Sequence, residues 1–144
     1  MEETMKEKSE IISMVQERTP KICGVYFLFM GSKIIYIGQS RNVMQRIASH
    51  HKIGYTHYSI HECHDAYLDS LEAAYILEYQ PEYNESIPNN ENWKTANQIR
   101  EFTNSDSILD TRRTLEKNKI KFKVFRGLVY YDFFEAYEYM VGKK

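Results

Sequence analysis

Two β-rich runs, CGVYFLFM (23–30) and IIYIGQ (34–39), flank the dipeptide Gly31-Ser32. Apolar, β-branched and aromatic residues on both sides of a glycine-containing turn predict a β-hairpin. A hairpin sorts the side chains of each strand onto two faces, and this constrains Tyr26 and Tyr36 most. A two-residue loop pairs Tyr26 with Ile37 and sends Tyr36 to the opposite face. A three-residue loop, Met30-Gly31-Ser32, sets the two tyrosines directly across from each other. A site shared by both rings therefore needs an odd-length loop or a bulge.

The rest of the chain organises around this hairpin. Residues 1–20 read as an N-terminal helix or arm with Ile11, Ile12, Met14 and Val15 as apolar positions, broken at Thr19-Pro20 because the residue before proline disfavours helix. A helix is predicted over Arg41–His51, with Ser40 as N-cap, Val43 and Ile47 facing the core, and Arg46 and His50 one turn apart on another face. YTHYSIHECH (55–64) predicts a third strand. DSLEAAYILEYQ (69–80) predicts a helix starting at Asp69 and ending near Pro81. PEYNESIPNNENWK (81–94) reads as loop and linker, placing a module boundary between 88 and 89.

Beyond that boundary, TANQIREF and SILDTRRTLEKNK predict two helices, IKFKVF and LVYYDF two strands around Arg126-Gly127, and DFFEAYEYMV a last helix with Asp132 and Glu135 in capping-box spacing. The expected fold class is mixed α/β (α+β): a small, three-stranded, mainly antiparallel sheet flanked by helices over 21–88. The 89–144 segment resembles a small winged helix of the excisionase kind, or else packs as a lid on the first module.

Size and composition permit this without staples. The chain has 144 residues, 42% of them hydrophobic, enough for one core. No apolar run approaches membrane-span length and the charged N-terminus is not signal-like, so a cytoplasmic setting is expected. Cys23 and Cys63 are the only cysteines, and free thiols are expected over a disulfide. The net charge of −1 hides an uneven distribution. No Asp or Glu occurs between Thr19 and His61, where Lys21, Lys33, Arg41, Arg46 and Lys52 fall. A second basic run holds Arg112, Arg113, Lys117, Lys119, Lys121, Lys123 and Arg126 against Glu116 alone. A single charge run is ordinarily a solvated face; two separate ones favour an anionic partner.

Six polar residues could converge: Tyr26, Tyr36, Arg46, His50, Glu72 and Asn84. Each has a plain explanation by itself. The tyrosines pack strands, Arg46 is a surface charge, and His50 is a half-buried polar group. Glu72 completes a capping box with Asp69, and Asn84 is a turn residue.

Taken in order, Gly24-Val25-Tyr26, Tyr36-Ile37-Gly38, Arg46 and His50 on the next helix, Glu72, and Asn84 after Pro81-x-x resemble the GIY-YIG nuclease family. The resemblance covers about Cys23 to Glu85, under half the chain. Two positions depart from the repair-type members: Gln39 stands where they carry lysine, and His50 where they carry tyrosine, although homing-type members also use histidine. The missing lysine weakens any mechanism that requires an amine beside the attacking water.

The resemblance implies metal-dependent hydrolysis of a DNA phosphodiester to 5′-phosphate and 3′-hydroxyl ends, in a homing, restriction, repair or phage recombination role. Glu72 would hold one Mg²⁺ or Mn²⁺, and Arg46 would clamp a phosphate oxygen. Tyr26 would act as general base, steadied by Tyr36, with His50 relaying the proton or replacing it as base. A phenolate costs roughly 4 kcal/mol at pH 7, so a tyrosine base needs nearby positive charge. Asn84 would fix the loop behind Glu72, and Gly24 and Gly38 would allow close backbone approach. Lys33, Gln39, Arg41 and Lys52, together with the second basic run, would contact DNA, and a homodimer would serve double-strand cleavage. An inactive DNA-binding or regulatory module on the same fold is the alternative. A zinc site of His57, His61 and Cys63 on one strand face is the weaker rival, because zinc ligands ordinarily come in paired clusters and the chain has no second one.

Overall fold

The computed structural model describes residues 4–14, 21–105 and 107–142; Val15 and the Thr19-Pro20 break lie outside them. Helix α1 (Lys8–Ser13) buries none of its residues. The architecture is mixed α/β, with two antiparallel three-stranded sheets and packed helices.

The first sheet contains β1 (Gly24–Met30), β2 (Lys33–Ser40) and β3 (His57–Glu62) in the order β2-β1-β3. Met30 pairs with Lys33 across the two-residue turn Gly31-Ser32, and Gly31 takes φ +61°, a value that costs glycine little. The register then slips between Leu28 and Phe29: Phe29 pairs with Ile34, but Leu28 pairs with Tyr36, so Ile35 is supernumerary. This β-bulge, and not a three-residue loop, puts Tyr26 and Tyr36 on one face. Tyr26 sits opposite Gly38, two residues from the Leu28–Tyr36 pair.

Each face of the sheet has its own cover. Tyr26, Leu28 and Ile35 pack with Val43 and Ile47 of α2 (Val43–Ala48). Val25, Phe27 and Ile37 pack with Leu68, Ile76 and Leu77 of α3 (Leu68–Tyr79). Helix α2 is shorter than expected, and Ser40 does not cap it; Ser40 Oγ accepts from Asn42 N at 2.9 Å in the turn that precedes it.

Helix α3 begins one residue early, because a 3₁₀ turn (Asp65–Tyr67) feeds directly into it. Asp69 therefore lies inside the first turn and is not the N-cap. The capping box proposed for Asp69 and Glu72 does not form, which frees the Glu72 side chain. The helix ends at Gln80 in left-handed conformation, φ 49°, ahead of Pro81.

The second sheet has the order β4-β6-β5, from β4 (Trp93–Thr95), β5 (Phe122–Phe125) and β6 (Leu128–Asp132). Strand β4 falls in the stretch expected to be linker. Thr95 then opens α4 (Ala96–Thr103) through a capping box with Gln98. Helix α5 (Ile108–Lys117) follows, capped by Ser107 Oγ, and α6 (Phe133–Tyr137) closes the chain with Asp132 as its N-cap before a π-helical turn over Glu138–Gly142. Ile99, Leu115, Ile120, Tyr131 and Ala136 form the local core here.

Adjacent tyrosines on β6 face opposite ways, as strand periodicity demands. Tyr131 enters this local core, while Tyr130 joins Phe125 in the core beneath the first sheet. Burying those two rings contributes about 1.5–3 kcal/mol each and seats the β5–β6 hairpin against α3. Polar contacts follow the same seam: Lys123 Nζ reaches Glu78 Oε2 at 3.3 Å and Gln80 Nε2 donates to Val124 O at 3.0 Å.

Candidate active site

Strand β2 is an edge of its sheet, and the site wraps around that edge. Tyr26 and Tyr36 approach from the face covered by α2; Arg46 lies on that helix, whereas His50, expected on it, follows in the turn after its end at Ala48. Glu72 comes from α3 on the other face and shares with Tyr36 an open cleft of about 400 Å³ whose wall continues through Tyr83, Asn84 and Glu85 to Pro88.

The aromatic part is tight. Tyr26 Oη lies 2.6 Å from His50 Nε2. Ring centroids of Tyr26 and Tyr36 are 6.1 Å apart, and those of Tyr36 and His50 are 4.8 Å apart. Tyr26 is 1% exposed. A Cβ built on Gly38 would overlap Cζ and Oη of Tyr26, so only glycine leaves room for the phenol. At Gly24 a Cβ would collide with the His61 carbonyl of β3, which makes glycine a condition of the β1–β3 approach.

Electrostatics set the protonation states. Burial pushes the Tyr26 phenol far above its ordinary value, and Tyr36 adds to this, while Arg46 pulls it down by hydrogen bonding and by charge. Tyr36 is also raised, by burial and then by the Glu72 carboxylate, with Arg46 opposing. His50 is lowered by burial and by the Arg46 charge, so its imidazole is neutral at pH 7. With the phenol protonated and the imidazole neutral, Tyr26 donates to His50 Nε2 in the tautomer that carries its proton on Nδ1. The expected positive field from Arg46 is present, but desolvation outweighs it. Tyr26 alone is therefore a poor base.

Glu72 is pushed above the usual carboxylate range by burial, partly relieved by a hydrogen bond from Gln39 and raised further by Asp69. The Gln39 amide bridges both acids, its Nε2 donating to Glu72 Oε2 at 2.5 Å and to Asp69 Oδ1 at 2.7 Å. Gln39 thus acts on the acids of this site, an arrangement for which its sequence neighbours gave no signal. Asn84 is 5% exposed and holds the edge strand with both ends of its amide. Its Oδ1 accepts from Ile37 N at 2.9 Å, and its Nδ2 donates to Ile37 O at 2.8 Å. Tyr83 N donates to Ile35 O at 3.0 Å, so the loop after α3 lies along β2 like a short added strand.

The basic residues divide into two groups. Lys33 and Arg41 are exposed and lie within 3.7 Å of Glu82 and 3.4 Å of Asp65 respectively, while Lys52 is exposed. Arg112, Arg113, Lys117, Lys119 and Lys121 are exposed on and just after α5. Lys123 and Arg126 are instead used within the protein: Lys123 pairs with Glu78, and Arg126 donates to the carbonyls of Asn84 and Glu82.

The zinc rival gains no support. Among the described residues no three His, Cys, Asp or Glu gather as a metal site. His57 Nδ1 is within 2.8 Å of Thr56 Oγ1, and His61 Nδ1 within 2.7 Å of Tyr75 Oη. Cys23 and Cys63 carry free thiols where the β1–β3 ladder ends, with Cys63 N donating to Cys23 O at 3.0 Å. Among the described residues no helix is long and apolar enough to cross a membrane.

The fold and site together define a mixed α/β protein with a phenol–imidazole–guanidinium cluster beside a half-buried carboxylate. No protein-family model, curated protein or solved structure matches the chain.

Proposed function

We propose that this chain is a metal-dependent DNA endonuclease of the GIY-YIG type, cutting phosphodiesters to leave 5′-phosphate and 3′-hydroxyl ends. The observation that carries the reading is the hydrogen bond between Tyr26 Oη and His50 Nε2, placed beside Tyr36 and under the influence of Arg46. A buried phenol needs some hydrogen-bond partner in any fold; what favours chemistry is that the partner is an imidazole with Tyr36 and Arg46 beside it.

The proton path follows from the protonation states. As water attacks phosphorus, its proton passes to Tyr26 Oη while the Tyr26 proton passes to His50 Nε2. Neutral His50 is the terminal base and Tyr26 the relay, which avoids the cost of a free phenolate. The Arg46 guanidinium, always protonated, neutralises charge on the nonbridging oxygens. The bond from phosphorus to the 3′-oxygen breaks as the water oxygen bonds. Tyr36 packs between His50 and Glu72 and orders both sides of the cleft.

Glu72 suits a Mg²⁺ or Mn²⁺ ion. It is a hard oxygen donor at the wall of an open cleft, and the groups that act on its charge are an amide and another carboxylate, with no cation among them. Held by Glu72, such an ion would supply Lewis-acid charge to offset the negative charge that develops on the leaving oxygen. Asn84 keeps Ile37, and with it the flanking Tyr36 and Gly38, at a fixed height against the loop that lines the cleft.

The segment 89–144 is proposed to grip DNA through α5 as a reading helix, with Arg112, Arg113 and Lys117 on it and Lys119 and Lys121 beside it, but without the β5–β6 hairpin as a wing. Lys123 and Arg126 are left out of that surface because they bind Glu78, Glu82 and Asn84.

A plasmid-nicking assay with Mg²⁺, Mn²⁺ or EDTA tests the reading. Cleavage is expected with either ion and not with the chelator, and Glu72→Ala is expected to abolish cutting while DNA still binds. DNA binding without cutting under any metal condition would identify an inactive binding module instead.

A further inference from the structure

We propose that Arg126 is a positioning residue that ties the C-terminal hairpin to the edge strand carrying Tyr36. The strut has three links. Arg126 Nε donates to Asn84 O at 2.8 Å and Nη2 donates to Glu82 O, so the guanidinium fork grips the loop after α3 twice. Asn84 in turn holds both backbone groups of Ile37. Ile37 lies between Tyr36 and Gly38, the residue that makes room for the Tyr26 phenol.

The backbone of Arg126 is a second observation pointing the same way. Arg126 and Gly127 form the two-residue turn between β5 and β6, with φ 48° and 78°. Such turns favour Asn-Gly or Asp-Gly, because the first position also needs positive φ. Arginine is a poor fit to that backbone, and its long side chain is what the position gains. The turn itself is held close by Gln80 on Val124 O and by Phe125 and Tyr130 in the core. The hairpin tip therefore faces the catalytic loop, not outward as a free wing.

The catalytic half of this inference rests on the nuclease reading; the mechanical half does not. Arg126→Gly removes the fork and at the same time relaxes the turn, so the variant is expected to fold. In the free protein, hydrogen exchange at the Ile37 amide is expected to accelerate at least tenfold in Arg126→Gly, with amides of β3 unchanged. With DNA in saturation, single-turnover cleavage is expected to fall at least tenfold while the DNA Kd stays within twofold. Arg126→Lys, which keeps one donor, is expected to recover part of both losses.

Unchanged exchange at Ile37 would refute the tie, whether or not the protein cuts DNA. Faster exchange with wild-type cleavage would refute the positioning role. Weaker DNA binding with a smaller salt slope, and full cleavage at saturation, would make Arg126 a phosphate contact and overturn the proposal. Should the wild-type chain cut no DNA, the nuclease reading falls alone and the exchange measurement still decides the strut.

Discussion

Asn84→Ala tests how the site is held together. The side chain satisfies two backbone groups of a sheet edge, Ile37 N at 2.9 Å and Ile37 O at 2.8 Å, and is 5% exposed. Truncation leaves one donor and one acceptor without partners. An unsatisfied buried polar group costs about 1–3 kcal/mol. The adjoining cleft is open, so water can replace part of the loss, and the sum for both groups is about 2–4 kcal/mol. At about 3–4 °C per kcal/mol for a chain of this size, the melting temperature is expected to fall by roughly 6–16 °C. Asn84→Asp separates the two bonds. It keeps the acceptor for Ile37 N but sets a carboxylate against Ile37 O, so at pH 7 it is expected to melt below the alanine variant. Repulsion from Ile37 O raises the folded pKa of that acid, so recovery toward wild type is expected to begin above about pH 4 and to be complete near it, as the acid protonates and can donate. Calorimetry across that pH range is the assay. An alanine variant melting within about 2 °C of wild type, or an aspartate variant indifferent to pH, would show that the amide does not hold the strand.

Other expectations follow from the same geometry. Gly38→Ala drives a methyl into the Tyr26 ring and is expected to cost about 1–3 kcal/mol in overpacking, read as a lowered urea midpoint, with cleavage lost as Tyr26 leaves His50. The pH profile of kcat/KM is expected to show an acid limb with its midpoint below 6.5, because burial and Arg46 lower His50 and the neutral form is the base; His50→Ala should abolish that limb. Linkage has the same direction. Folded His50 holds a proton less tightly than unfolded, so its effect on stability is neutral above pH 6.5 and turns unfavourable as pH falls, an effect chemical denaturation can measure. Arg112→Ala with Arg113→Ala is expected to weaken DNA binding and to reduce the slope of log K against log salt by about 1.8, two phosphate contacts at about 0.9 each; an unchanged slope would remove α5 from the interface.

Much of the first module was legible because its signals are local. A two-residue turn between apolar runs marks the hairpin, and alternation alone shows that Tyr26 and Tyr36 share a face only with an odd loop or a bulge. Which of these occurs was not legible, since a bulge at Ile35 requires no distinctive residue. The role of Glu72 was obscured by a capping-box pattern that is correct in spacing. It fails because the 3₁₀ turn at Asp65–Tyr67 starts the helix ahead of Asp69. Strand β4 was hidden in an Asn-rich stretch, as its three residues depend on β6, some 35 residues downstream. The basic run ending at Arg126 read as one DNA-facing surface because charge carries no direction; only tertiary packing sets Lys123 against Glu78 and lays the still exposed Arg126 on the Glu82 and Asn84 carbonyls. The one available hint was arginine in a turn position that asparagine usually fills.

The supernumerary Ile35 has a consequence for hairpins of this design. It lies between the turn and Tyr36, so it takes up one unit of length before the first functional ring is reached. A ladder lacking it would still set Tyr36 across from Leu28. Tyrosine separations of nine and ten thus leave the two rings on the same face, the shorter with regular pairing and the longer with one unpaired residue in the strand. Chain length at this hairpin can drift by a single step without changing which face the rings share, but Ile35 is buried under α2 and its carbonyl accepts from Tyr83 N, so the shorter hairpin must refill that space and re-anchor the loop after α3.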